Sequence, residues 1–444
     1  MNRDLTRGPV TKSMLLFAIP MILGDLLQQY YNIADTLIVG QFLGRDALAA
    51  VGSSFTLMTF LTSIILGLCM GSGALLSMRF GQRDERALCE NLCASFFFIA
   101  LVTVLLNILS FVCLDGLRTF LRVPAEVWGD MREYLFVIFM GIPAVFLYNY
   151  FASFLRAIGN SVIPLGFLAV SAVLNIALDL WFVIGLNRGV AGTAEATVIA
   201  QYVSGIGIAA YAFMRFPQVR SVWKLCCLRC GRIQEIVSFS TLTCVQQSIM
   251  NLGILMVQGL VNSFGPVVMA AFAAAVKIDA FAYMPVQDFG NAFSTYVAQN
   301  YGAGQPERIR KGMREIYLYS LVVMVVTVLL MQVSAEWLVR MVSGSSEALV
   351  LENGARYLRW TSPFYAVLGV LLSTRYALQS LGEKVLPLFS SVIEFLGKVV
   401  FVLVFIPHFA YNAVILCEPV IWCFMALYLV AVYHCNPFVF PKKQ

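Results

Sequence analysis

Two stretches of this chain, half its length apart, carry the same residues in the same order. Phe42 to Arg86 contains FLG-x3-LAA and ends in FGQRDERA, and Phe264 to Arg308 contains FG-x3-MAA and ends in YGAGQPERI. Gly44 aligns with Gly265, Gly81 with Gly302, and Glu85 and Arg86 with Glu307 and Arg308. Farther along, Gly159-x4-Pro164 recurs as Gly382-x4-Pro387 and Glu195 as Glu418, with the offset holding between 221 and 223 residues. A chain that repeats once, at half its length, is two copies of one folding unit. In a membrane, such a duplication implies two lobes around a central site.

The unit is a membrane unit. The 444 residues are 60% hydrophobic and only 12% charged, and the mean hydropathy is +0.82. A soluble domain of this length would carry about twice that charge. Apolar runs long enough to cross the hydrocarbon layer recur along the chain and predict twelve helices, roughly 13–39, 47–77, 90–113, 132–156, 163–186, 190–213, 234–262, 267–299, 315–338, 353–380, 386–407 and 412–434. The expected fold is an all-α polytopic membrane protein with twelve transmembrane helices in two pseudo-symmetric six-helix bundles. Residues 1–214 form the first lobe, 215–233 a cytoplasmic basic linker and 234–444 the second lobe. Arg3, Arg7 and Lys12 before an apolar run imitate a signal peptide. The run is too long for one, carries Asp25, Gln28, Gln29, Asn32 and Asp35, and lacks a small-residue cleavage site, so it reads as a mature helix.

With the N-terminus inside, about two-thirds of the Lys and Arg residues fall in inner segments. Both termini are then cytoplasmic, as an even number of spans requires, and the expected location is the plasma (bacterial inner) membrane. The formal charge of +6 is topological charge facing an anionic leaflet and calls for no nucleic-acid partner. The 11 cysteines are scattered mostly through apolar helices as small core residues. Cys226, Cys227 and Cys230 cluster in the basic linker and read as free thiols or as sites of reversible acylation. Only His408 and His434 could add ligands, both near other helix ends, so neither a zinc site nor a cofactor is expected.

Ionisable residues inside spans are costly and usually face a cavity or a partner. Asp25, Asp35, Asp179, Glu195, Lys277, Asp279, Asp288, Arg375, Glu394, Lys398 and Glu418 all fall in predicted spans. Asp25, Gln28, Asn32 and Asp35 are spaced by three, four and three, which puts them on one face of the first helix. That seam is either a hydrogen-bonded network holding helices together or a cation or proton site. In the fifth helix Asn175 and Asp179 stack four apart in NIALD. Two carboxylates in one low-dielectric cavity could hold a proton or share a Na⁺, since carboxylate, amide and hydroxyl oxygens suit a hard cation. The repeat sharpens this reading. In the seventh helix Gln246, Gln247 and Asn251 answer Gln28, Gln29 and Asn32, but Ile254 stands where Asp35 should recur. The eleventh helix reads EFLGKVVFVLV, with no Asn-x3-Asp. The acidic cluster belongs to the first copy alone.

The remaining charges admit two readings each. Glu195 and Glu418 are repeat-equivalent and suit capping or anchoring near outer helix ends as well as function. Lys277 with Asp279 or Asp288, Arg375, and Glu394 with Lys398 four residues on could be internal ion pairs. Alternatively the eighth helix, with Phe281 and Tyr283, lines a substrate cavity. Candidate lining residues are Gln28, Asn32, Gln247, Asn251, Lys277, Asp279, Tyr283 and Asp288. Aromatic and Met side chains in a wet cleft would suit a flat lipophilic cation, although interfacial belts account for most of them. Pro20, Gly24, Pro143, Pro285 and Pro363 mark possible bends.

IADTLIVGQFLG, LAAVG, FGQRDERA, FLRAIGNSVIPL, NIALD, GVAGTAEATVIAQ and QNYGAGQPERI together resemble the multidrug and toxic compound extrusion family over nearly the whole chain, from about Thr11 to Tyr433. The resemblance implies two six-helix bundles, alternating access, and antiport of organic cations against H⁺ or Na⁺ by a monomer in contact with membrane lipids. It also implies, from the DinF-like branch, a coupling site for H⁺ or Na⁺ at Asp35, Asn175, Asp179 and Thr197. Other branches use second-lobe acids. The helix-7 carboxylate of that group is missing, since Gln246 and Gln247 stand there, while Asp279 and Asp288 keep that route open. A flippase for lipid-linked sugars would want a cationic cluster for pyrophosphate, and only Lys277, Arg375 and Lys398 lie within spans. An intramembrane enzyme would need a nucleophile–base pair or a metal, and no such arrangement stands out.

Overall fold

The computed structural model describes residues 4–116, 125–222, 230–261, 264–344 and 347–441, and every described element is helical. The chain forms α1 (Val10–Ile38), α2 (Arg45–Gln82), α3 (Glu85–Val112), α4 in two pieces (Ala125–Met140 and Ile142–Ala157), α5 (Val162–Leu180) and α6 (Gly189–Arg215). A short helix, Pro217–Val222, follows. The second half forms α7 (Cys230–Val261), α8 (Pro266–Gly302), α9 (Pro306–Ser343), α10 in two pieces (Ala348–Thr361 and Tyr365–Ser380), α11 (Val385–Val400) and α12 (Tyr411–His434). The twelve predicted helices are all present. Among the described residues, nine spans are long and apolar enough to cross a membrane, and the two pieces of α4, bent by 44°, make a tenth. The remaining two of the twelve are α7 and α10, the latter broken by a 3₁₀ turn at Ser362–Phe364. Residues 223–229 of the basic linker, with Cys226 and Cys227, lie outside the described residues.

The repeated glycines recur because the backbone repeats. Gly44 and Gly265 take φ of +89° and +93° immediately before α2 and α8, and Gly159 and Gly382 take +82° and +84° before α5 and α11. Side-chain-bearing residues rarely adopt this region. The motif ending each first stretch works similarly. Arg83, left-handed at φ +58°, closes α2, and Asp84 Oδ1 accepts the Ala87 amide at 2.9 Å to cap α3. Gly304 at φ +69° takes the same place before α9, where Pro306 opens the helix.

Residues pack into two units, Met1–Asp4 with Ile19–Cys244 and Leu5–Ala18 with Val245–Gln444. In the first, residues 230–244 of α7 lie directly on α2. A Cβ on Gly71 would come within 2.7 Å of Ser240 Cα, and one on Gly67 within 2.8 Å of Cys244 Cα. Small residues four apart allow two membrane helices to approach this closely. The core is aromatic, with Phe96 meeting Tyr150 edge-on at 5.3 Å and Tyr150 meeting Phe151 edge-on at 5.4 Å. In the second unit the start of the chain is strapped to the repeated motif. Arg308 donates to the carbonyls of Gly8 at 3.0 Å and Leu5 at 3.2 Å. The Leu5 amide donates to Gln299 Oε1 at 3.0 Å, and Thr11 Oγ1 donates to Glu315 Oε2 at 2.6 Å.

Candidate cation-binding site

Helices α1 and α5 touch, which their sequences alone leave open. Gly24 faces Leu165 and Leu168, and a Cβ there would meet their methyl carbons at 3.8 and 3.6 Å. Each helix then passes into a π turn shortly after its acid, at Val39–Leu43 after Asp35 and at Trp181–Gly185 after Asp179. The two π turns pack against each other. Such turns shift the face a helix presents and concentrate at functional sites.

The Asp35 and Asp179 carboxyls come within hydrogen-bonding range of each other. Asp179 is 0% exposed and Asn175, one turn before it, 2%. Asn175 Nδ2 donates to Thr197 Oγ1 of α6 at 3.1 Å. Asp35 Oδ1, both Asp179 carboxylate oxygens and Asn175 Oδ1 are buried and receive no hydrogen bond. Buried polar atoms are almost always bonded. Ionised carboxylates only accept, so a direct hydrogen bond between the two requires a proton on one of them, and a cation is the charged group that would join them when both are ionised. The four residues named from the sequence are thus gathered in one place. Along the rest of the seam Asp25 and Asn32 are half-buried and Gln28 is exposed. Tyr31 and Tyr134 lie within electrostatic reach of both carboxyls, and sequence reasoning missed them. Tyr31, four residues before Asp35, shares its helix face and could have been found that way. Tyr134, on α4, gave no signal.

The second unit has no copy of this cluster among the described residues. Gln379 Nε2 of α10 donates to Gln246 Oε1 at 2.6 Å, and Gln247 is half-buried. The Asn251 side chain lies outside the described residues. Asp279 is buried and accepts a hydrogen bond from the Tyr365 hydroxyl. Asp288 is buried on the same helix. Lys277 corrects the ion-pair expectation, because it is exposed and forms no ion pair with a described residue. The buried pairing lies elsewhere. Lys398 Nζ is 2.9 Å from Glu394 Oε1 and 2.9 Å from Glu418 Oε1. Arg375 Nη2 stands 3.7 Å from Glu394 Oε2, and Nη1 reaches Met250 Sδ at 3.1 Å. Tyr283 lies within electrostatic reach of Asp279, Glu418, Lys398 and Glu394. The sequence showed the Glu394–Lys398 spacing but not that Glu418 completes the set. Its repeat-equivalent Glu195 instead pairs with Arg188 near the start of α6.

The MatE family model matches residues 20–181 and 243–404, once on each copy of the repeat. The chain belongs to the MatE family. This MatE protein is 27% identical to the probable multidrug resistance protein YpnP of Bacillus subtilis over 401 residues, 88% of this chain and 87% of that one. It is 31% identical to the multidrug export protein MepA of Staphylococcus aureus over 224 residues, 49% of this chain and 48% of that one. Among solved structures, an outward-facing multidrug resistance MATE family transporter superposes with a TM-score of 0.91 at 21% identity, covering 99% and 98% of the two chains. The Vibrio cholerae MATE transporter VcmN in its bent form superposes with a TM-score of 0.85 at 21% identity, covering 96% of each. The fold is therefore that of twelve helices in two bundles. The MatE chain is a multi-pass membrane protein and a multidrug efflux transporter rather than an enzyme.

Proposed function

We propose that this MatE transporter is an antiporter that exports small organic cations across the plasma membrane by alternating access, coupled to H⁺ or Na⁺ at Asp35, Asn175, Asp179 and Thr197. The observation that carries the reading is the set of four buried oxygens without a donor in the first unit. With a proton or Na⁺ present, the carboxyls of α1 and α5 are held together. Without it, two negative charges face each other and drive those helices toward a different arrangement. A coupling ion shifts the balance of two states only through such a difference in interaction. The protein acts as a monomer with both termini in the cytoplasm. The lipid-linked-sugar alternative needs a cluster of free cationic groups for pyrophosphate, whereas Arg375 and Lys398 are engaged by Glu394 and Glu418, which leaves Lys277 by itself.

The test is efflux of a lipophilic dye cation from proteoliposomes under an imposed pH or sodium gradient. One gradient drives wild-type efflux, and Asp35→Asn and Asp179→Asn each abolish that drive while the protein stays folded. Wild-type efflux by a folded Asp35→Asn protein refutes the assignment.

A further inference from the structure

Lys398 has an exposure of 1%, and an ammonium so deep in a membrane domain needs a reason. The repeat supplies its register. The offset that carries Gly159 to Gly382 carries Asn175 to Lys398, so the lysine stands at the sequence position in the second copy that Asn175 of the candidate cation cluster holds in the first. Its surroundings are those of a bound cation. Two carboxylate oxygens, from α11 and from α12, each stand 2.9 Å from Nζ. Arg375 of α10 flanks Glu394 on its other oxygen. Tyr283 of α8 lies within electrostatic reach of Lys398 and both glutamates, and Asp279 within reach of Glu418. On α7, Gly253 leaves the room the lysine needs, because a Cβ there would lie 2.7 Å from Lys398 Cδ and 3.3 Å from Nζ. Arg375, Lys398, Glu394 and Glu418 together sum to zero charge, and Asp279, whose carboxyl accepts from the Tyr365 hydroxyl, stands outside that set.

We propose that Lys398 is a resident cation. Its ammonium fills the second copy's counterpart of the cation site in place of an exchangeable ion, so that this counterpart site takes up no coupling ion. The inference rests on the first-lobe coupling reading for its meaning but not for its test. Removing the ammonium leaves Glu394 and Glu418 turned toward one vacated space with an unbalanced negative charge, and an oxygen-lined site of that kind takes a small monovalent cation.

The test uses purified full-length protein carrying Asp35→Asn, which removes the contribution of the first lobe. Melting is compared in sodium chloride and in choline chloride of equal ionic strength at alkaline pH, where protons are scarce. With Lys398→Ala added, sodium raises the melting temperature by roughly 2–4 °C over choline. With Lys398→Arg added, it does not. Lys398→Asn, which places here the amide that the first copy has at Asn175, serves as a second variant should the alanine protein fail to fold, and radioactive sodium binding provides a second readout. Sodium-independent melting and no added sodium binding in a folded Lys398→Ala or Lys398→Asn protein overturn the proposal. Coupling at Asp35 is read separately, from efflux, so the two readings fail independently.

Discussion

Asp179→Asn separates stability from coupling, and the two are expected to move in opposite directions. In the native protein Asp179 is fully buried with both oxygens lacking a donor, and its neighbour across α1 is a second carboxyl. Two unit charges about 4 Å apart at an effective dielectric constant near 20 repel by about 4 kcal/mol. The doubly ionised pair is thus disfavoured by roughly a thousandfold unless a proton or Na⁺ intervenes. An asparagine amide supplies permanently what the ion supplies transiently, because its Nδ2 can donate to Asp35. One hydrogen bond to a charged acceptor contributes about 1.5–3 kcal/mol. Asp179→Asn is therefore expected to melt at least as high as wild type, and higher at alkaline pH, where the native pair most lacks its proton. Gradient-driven efflux is lost in the same preparation, since the lobe no longer distinguishes a loaded from an unloaded state. The checks are melting temperature against pH and proteoliposome efflux. A marked fall in melting temperature at alkaline pH, or efflux that still follows the gradient, refutes the reasoning.

Gly253→Ala forces Lys398 aside and costs about 1–3 kcal/mol by overpacking. In a Lys398→Ala background the same change is close to neutral, so a double-mutant cycle measured by thermal melting reads their coupling. Gly44→Ala and Gly265→Ala meet no atom within 4 Å, so each costs only its backbone strain, about 1–3 kcal/mol. Melting temperatures of the two variants are expected to fall equally. Arg220→Cys, introduced into a protein without native cysteines, is expected to resist a membrane-impermeant thiol reagent in intact cells and to react after permeabilisation. Labelling from outside reverses the proposed orientation.

The twelve helices were legible because hydropathy and helix length are local properties, and the seam Asp25, Asn32, Asp35 was legible because helical spacing puts those residues on one face. The meeting of Asp35 with Asp179 was not, since it depends on α1 lying against α5 through Gly24, a contact that no periodicity encodes. Tyr134 went unseen for the same reason. The exchange of helix beginnings was also invisible. Leu5–Ala18 joins the second unit through Gln299, Arg308 and Glu315, and those residues read as ordinary ends of inner loops. Glu418 was misleading, because its equivalence to Glu195 suggested a shared role. The copies differ instead in what lies opposite: the exposed-end Arg188 in one and the buried Lys398 in the other.

Electroneutrality explains why two copies of one unit came to hold charge so differently. An apolar interior penalises net charge whichever copy carries it. In the first unit Asp35 and Asp179 stand together with no Lys or Arg among the described groups that act on them, so the balancing charge must come from solution. In the second unit Lys398 and Arg375 are attached to the chain and match Glu394 and Glu418, so that set of four needs no imported charge. A site with a covalently supplied counter-ion has the same charge before and after any encounter with the medium, and it gives an ion gradient nothing to act on. A site whose counter-ion comes and goes has two states of different energy, and only that difference can be linked to the movement of a substrate. On this reasoning the duplication left the structural scaffold in both copies and the exchangeable charge in one.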